Sequence, residues 1–333
     1  MKKTTIADVA LHANVSKSTV SQYLNKRYDY MAEDTKKRIE DAIDALDYRP
    51  NAVARSLKQK TTMTIGVIVA NILHNFSTQV MRAIEDFCHE SEFHVIVCNA
   101  DDNPEKEKRY IEMLQAKQVD GIILFPTGDN VELYNEMHKA NYPVVFVDRI
   151  VEGVEIPSVM LDNENAAGLA VQHLIDKGYQ RIGIITNVIR NVTPRMERIS
   201  GYKKTLQRNG IEMNEQYIKS LAVNSIQAGL EEMLSVIPKV QAVLAGNDLT
   251  MMEILKYAKK NQVKIPEDLA VIGIDEVSFG SFYEPPITVV AQPAFEIGKK
   301  AAELLLSKIQ KKEQEQELNV YRFKPELIVR NSC

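Results

Sequence analysis

The sequence predicts a small all-α headpiece followed by an α/β body of two lobes, each built on a parallel sheet. Three observations carry this. Apolar residues in roughly the first fifty positions recur at helical spacing, in short blocks separated by turn residues. From about Thr62 the texture changes to short β-branched apolar runs alternating with amphipathic helical stretches. That rhythm occurs about twice, and 333 residues suffice for a small module plus two lobes.

In chain order, Ile6, Val9, Ala10 and Ala13 form the inner stripe of a first helix, opening after Thr4 and Thr5, which can cap it. Asn14 follows, and asparagine tolerates the left-handed backbone of a tight turn. Ser16 then caps a second helix through Tyr23, with Val20 facing inward. A third helix runs from Glu33 to Leu46 on a stripe of Ile39, Ala42, Ile43 and Leu46. Three short helices with a tight turn between the first two follow helix-turn-helix grammar. "YRPNAVARSLKQK" comes next, a helical segment opening at Pro50 and too short to be stable alone.

In the body, "TIGVIVA", "HVIVCNA", "GIILFP", "VVFVD", "RIGIIT", "AVLAG" and "LAVIGID" read as buried parallel strands. "TQVMRAIEDFCHE", "EKEKRYIEMLQAKQ" and "NAAGLAVQHLIDKG" read as the helices between them. "SKIQKKEQEQEL" (307–318) reads as a solvated helix end or loop.

The net charge of −4 hides an asymmetry. Residues 1–60 carry twelve Lys and Arg against eight Asp and Glu, a net of +4, which leaves −8 for the remainder. Nucleic acid is the natural partner of such a basic end. No apolar run approaches ~18 residues, so no membrane partner is expected. Asp8 interrupts any signal-peptide core, and Cys88, Cys98 and Cys333 form no CxxC. A cytoplasmic protein is therefore expected, with the first two cysteines as buried small residues.

No GxGxxG, Walker GxxxxGK[ST], GxSxG or HExxH appears, and the histidines are not spaced as a metal set. No enzyme, catalytic residue, cofactor or metal is expected. In α/β sheets, ligands bind beyond the carboxyl ends of the strands. Those ends offer Asn71, His74, Asn75, Asp148, Arg149 and Arg190, then Arg195, Arg198, Asn247, Asp248 and Asp275. Phe76, Phe279, Phe282 and Tyr283 lie nearby in sequence. Amides, carboxylates, arginines and aromatic faces suit a hydroxyl-rich small molecule. A sugar-binding receptor that feeds a transporter would share such a body but not the headpiece.

The motifs "TTIADVALHANVSKSTVSQYLN", "LDYRPNAVARSL", "HLIDKGYQRIGIIT", "RISGY", "AGNDLTMMEIL" and "IPEDLAVIGIDE" resemble the LacI/GalR family of bacterial transcriptional regulators over essentially the full length. The resemblance implies a headpiece over 1–49, a hinge helix and linker over 50–61, and a two-lobed periplasmic-binding-protein-like body over 62–333. It implies a homodimer on a pseudo-palindromic operator, and the chain shows no C-terminal heptad helix of the kind that builds tetramers. Lys17, Ser18 and Gln22 would read bases, while Thr5, Ser16, Thr19, Ser21 and Asn25 would meet phosphates. Leu57 would wedge into the minor groove, with Ala54 alongside and Lys58 near phosphate. Many relatives carry Arg where this chain has Gln22; glutamine pairs with adenine and should shift that position towards A·T. Asn75, Phe76, Asp148, Arg195, Arg198, Asn247 and Asp275 would contact a sugar or sugar-acid effector, with Gln292 at a crossover. Several arginines near one mouth favour the acid.

Overall fold

Unit by unit, the folding follows from where the apolar stripes fall. The computed structural model describes residues 4–29, 31–49, 61–311 and 319–333. These fall into two units, Met1–Thr62 and Met63–Cys333.

In the first unit, α1 (Ile6–His12) begins where the Asp8 carboxylate accepts the Thr5 N–H at 2.8 Å and the Thr5 hydroxyl at 2.7 Å. Asn14 makes the turn at φ 54°, the left-handed conformation its side chain tolerates. α2 (Lys17–Leu24) is capped by Ser16, whose Oγ accepts the Thr19 N–H at 3.1 Å. α3 (Glu33–Ala45) stops one residue before the expected end. Val9, Ala10, Ala13, Val20, Ile39 and Ala42 close one small core over which Tyr48 folds.

The second unit holds two six-stranded sheets. β1 (Thr64–Val69), β2 (His94–Asn99), β3 (Gly121–Leu124), β4 (Val144–Val147), β5 (Ser158–Leu161) and β11 (Val320–Phe323) are ordered β11-β5-β4-β3-β1-β2. β6 (Ile182–Asn187), β7 (Ile218–Leu221), β8 (Ala242–Ala245), β9 (Ala270–Ile274), β10 (Thr288–Ala291) and β12 (Glu326–Ile328) are ordered β12-β10-β9-β8-β6-β7. Pairing is parallel except between β10 and β12. β3, β4, β8 and β9 are buried on both faces, which is why they read as unbroken apolar runs.

Helices cover both faces of each sheet. α4 (Asn75–Glu90) and α11 (Ala294–Ile309) pack on one face of the first sheet, α5 (Pro104–Ala116) and α6 (Val131–Lys139) on the other. α7 (Asn163–Asp176) and α8 (Thr193–Arg208) cover one face of the second, α9 (Ile226–Ser235) and α10 (Asp248–Lys260) the other. The chain passes between lobes after β5, after β10 and between β11 and β12. Gly201 permits the close crossing of α7 and α8: a Cβ there would stand 2.1 Å from the Glu164 carbonyl oxygen. That approach seats Arg198, one turn earlier on α8, at the mouth between the lobes.

All seven apolar runs are strands. Five further strands, β5, β7, β10, β11 and β12, escape that reading; β7, β11 and β12 are only half-buried. Cys88 and Cys98 are buried as expected, and burial pushes the Cys88 thiol up to about 12. Among the described residues, no helix is long and apolar enough to cross a membrane, and no group of three His, Cys, Asp or Glu could hold a metal. The 50–60 segment and residues 312–318 lie outside the described residues.

Candidate functional site

On the headpiece, Val20 commits one face of α2 to the core. The opposite face carries Lys17, Ser18 and Gln22, all exposed, with Ser21 half-buried beside them. Ser16 Oγ lies 2.6 Å from Ser18 Oγ and 2.8 Å from Thr19 Oγ1, so three hydroxyls share the N-terminal end of the helix. That end carries a partial positive charge, suited to an anionic oxygen. Asn25 donates from Nδ2 to Ser21 O at 2.7 Å, closing the helix, and Thr5 is engaged with Asp8. Ala54, Leu57 and Lys58 lie outside the described residues.

Between the lobes of the body, strand ends converge. Phe76, Asp148, Arg195, Arg198, Asn247 and Asp275 all line one inner chamber of about 40 Å³. Asp148 follows β4 in one lobe and Asp275 follows β9 in the other, at φ 69° and 82°. Two aspartates at equivalent strand ends, both in the left-handed region, aim their carboxylates from opposite lobes. Asn247 caps α10, its Oδ1 accepting the Thr250 N–H at 2.9 Å, while its Nδ2 donates to Asn187 Oδ1 at 2.5 Å. Arg198 is buried and donates to Asn163 Oδ1 at 2.8 Å and Gly246 O at 2.5 Å.

Asn75 stands apart from this chamber and ties the lobes instead. Its N–H donates to Asp248 Oδ2 at 2.7 Å, and its Nδ2 to Glu276 O at 2.8 Å. Beside it, His74 Nδ1 meets Asp248 Oδ1 at 2.5 Å. Burial works to lower the His74 pKa, but Asp248, with Asp275 and Asp102, outweighs it and raises it. Burial likewise opposes the charge on Asp248, yet His74 and the N–H groups of Asn75 and Leu249 hold it below the usual carboxylate range.

Sequence reading missed Asp102, Asn187 and Phe125. Asp102 pairs with Arg149 at 2.8 Å and Arg195 at 3.5 Å. Against burial, those two arginines hold its pKa down. Phe125 meets Phe76 edge-on at 6.4 Å between ring centroids. Phe279 and Tyr283 pack on the core of the second lobe, and Phe282 is 77% exposed, so none of the three supplies a ring to the chamber. Arg190 is exposed on the loop before α8, outside the inner chamber. Burial raises the Asp275 pKa in spite of Arg198, and Gln292 donates to its Oδ1.

Five buried side-chain atoms among the described residues have no hydrogen-bond partner, and three of them, Arg149 Nε, Asn187 Nδ2 and Gln292 Oε1, belong to this cleft. Buried polar groups are nearly always paired, so such a cluster marks where a ligand's polar groups fit. The arrangement can bind and orient; it brings together no nucleophile, base and electrophile.

A family model described as "Bacterial regulatory proteins, lacI family" matches residues 5–51. One described as "Periplasmic binding proteins and sugar binding domain of LacI family" matches residues 62–323. This chain belongs to the LacI family. As such it is a helix-turn-helix DNA-binding transcriptional regulator and not an enzyme. The LacI-family regulator is 49% identical to the probable HTH-type transcriptional regulator EndR of Paenibacillus polymyxa, over 99% of this chain and 98% of that one. Its fold matches the Lac repressor bound to ONPG in the repressed state, with a TM-score of 0.87 and 26% identity over the whole of both chains. It also matches the transcriptional regulator CelR in complex with cellobiose, with a TM-score of 0.73 and 27% identity over 99% of this chain and 100% of that one.

Proposed function

We propose that this regulator is a cytoplasmic homodimer that represses carbohydrate-catabolism genes from a pseudo-palindromic operator and is controlled by a small neutral sugar. The headpiece over 1–49 binds DNA, the segment 50–61 serves as hinge, with Ala54 and Leu57 at the minor groove and Lys58 near phosphate, and 62–333 binds effector and partner subunit. Lys17, Ser18 and Gln22 read bases; Thr5, Ser16, Thr19, Ser21 and Asn25 position phosphates. Gln22→Arg is then expected to move the preferred base at its position from adenine towards guanine, by about 1–3 kcal/mol of discrimination. A binding selection that returns the same base for both proteins would sink that assignment.

The observation that carries the effector reading is the inner chamber, where Asp148, Arg198, Asn247 and Asp275 surround two aromatic rings and unpaired buried groups. Arginine count alone points to a sugar acid. Pairing points the other way: Asp102 answers Arg149 and Arg195, Asp148 also stands by Arg149, and Asp275 opposes Arg198, whose donors Asn163 and Gly246 take up. Hydroxyls can bridge such donors and acceptors without adding charge. The relative solved with cellobiose adds a precedent for a sugar in this fold.

Thermal unfolding against neutral sugars, sugar acids and nucleobases tests the reading. A ligand at about a hundred times its dissociation constant stabilises by roughly 2.7 kcal/mol. The expected result is stabilisation by a neutral sugar and a change in operator affinity with the same compound. Stabilisation only by an acid or a base would overturn the neutral-sugar proposal.

A further inference from the structure

The inner chamber has a neighbour. A second cavity of about 260 Å³ opens against the same wall, sharing His74, Val192 and Arg195 with it. Its own lining mixes polar Asp129, Asn187 and Arg190 with apolar Leu221 and Leu249. Asn187 lines the outer chamber and is tied to the inner one through Asn247. Its Oδ1 holds the inner Asn247 amide, while its buried Nδ2 is one of the unpaired donors. Asp102 and Asp129 stand in this lining among Arg190, Arg195 and His74, so charges of both signs face the space.

Neither chamber is a complete small-molecule site alone. The inner one is close to the volume of a single water, ~30 Å³. A sugar ring enters the inner one only as the lobes part; the outer one, at about 260 Å³, already lies near the lower end of ordinary ligand sites, roughly 300 Å³. Polar groups for hydroxyls beside an apolar wall for a ring face recur in the outer chamber, as in the inner one with Phe76 and Phe125.

We infer that the outer chamber is a second sugar subsite, so that the effector is a neutral disaccharide, one ring seated towards Asp148 and Asp275 and the other against Asn187 and Leu221, neighbours at the ends of β6 and β7. This rests on the sugar reading of the cleft and names the size of the ligand. Ala222, exposed on the rim of the outer chamber only, offers a way to fill that chamber without touching the inner one or a core.

Calorimetric titration of the full chain tests it, with glucose, galactose, mannose and xylose and an α- and a β-linked disaccharide of each. At least one disaccharide is expected to bind about tenfold or more tighter than its monosaccharide. Ala222→Trp should remove that advantage, and Arg190→Ala should reduce it. A monosaccharide that binds as tightly as every disaccharide containing it, or an advantage that survives Ala222→Trp, would overturn the second subsite and leave the sugar reading standing. Binding of none of these sugars, with the protein folded by thermal unfolding, would overturn both.

Discussion

Arg198→Ala is expected to lower the stability of the body by about 3–5 kcal/mol and to abolish effector binding. The reason lies in what this one side chain holds. It extends from α8, donates to Asn163 Oδ1 at the start of α7, and donates to Gly246 O at the end of β8. Truncation leaves two acceptors at buried or nearly buried positions without a donor, and removes the positive charge that opposes burial at Asp275. Arg198→Lys separates the two losses. It keeps a charge near Asp275 but cannot serve two acceptors with a planar fork, so it should recover part of the stability and little of the binding. Denaturant unfolding and ligand titration of both variants give the answer. An Arg198→Ala protein with wild-type stability and affinity would show that the guanidinium only fills space.

Particular residues show how far the sequence could be read. The headpiece was legible because its determinants are local: Ser16 caps the helix that Val20 anchors, and Asn14 supplies the turn. The central strands were legible because burial on both faces makes them continuous apolar runs. β7, reading "IKSL", and β12, reading "ELI", carry no such signature, because half-exposed strands mix polar and apolar residues. In the cleft, six of the seven effector contacts that the family resemblance implied line one chamber. The strand-end rule, applied to β2, would also have reached Asp102; at β6 it was applied, and Asn187 was passed over for the arginines that follow. The pairings were beyond it. Asp102 lies 47 residues from Arg149, and His74 lies 174 from Asp248, so only the fold reveals that the arginines are answered and the lobes joined.

That His74–Asp248 contact carries the second large effect. The pair is nearly dry, its side chains 16% and 6% exposed, and it joins the start of α4 in one lobe to the start of α10 in the other. His74→Ala leaves the Asp248 carboxylate with only backbone N–H partners, at a cost of roughly 3 kcal/mol. Its pH dependence fixes the assignment. A histidine whose folded pKa is raised stabilises fully below its ordinary value of 6.5, and the contribution is lost as pH rises through the folded value. Asp248, held down, contributes above its ordinary 3.8 and loses that contribution as pH falls through its lowered value. The pair is therefore strongest between about pH 4 and 6.5, and wild-type protein should lose stability relative to His74→Ala as pH rises from that window. Facing this contact, Asp102 and Asp275 both favour the charged imidazole, so they strengthen the trend. The inner chamber is contracted while the pair is made, at about 40 Å³, and a sugar ring entering it must part the lobes. His74→Ala should then bind effector more tightly than wild type at pH 6, with the difference shrinking towards pH 8, because the competing contact is already weakened there. Equal affinities at pH 6, or a stability difference that does not change between pH 6 and 8, would remove the pair from any role in closing the lobes.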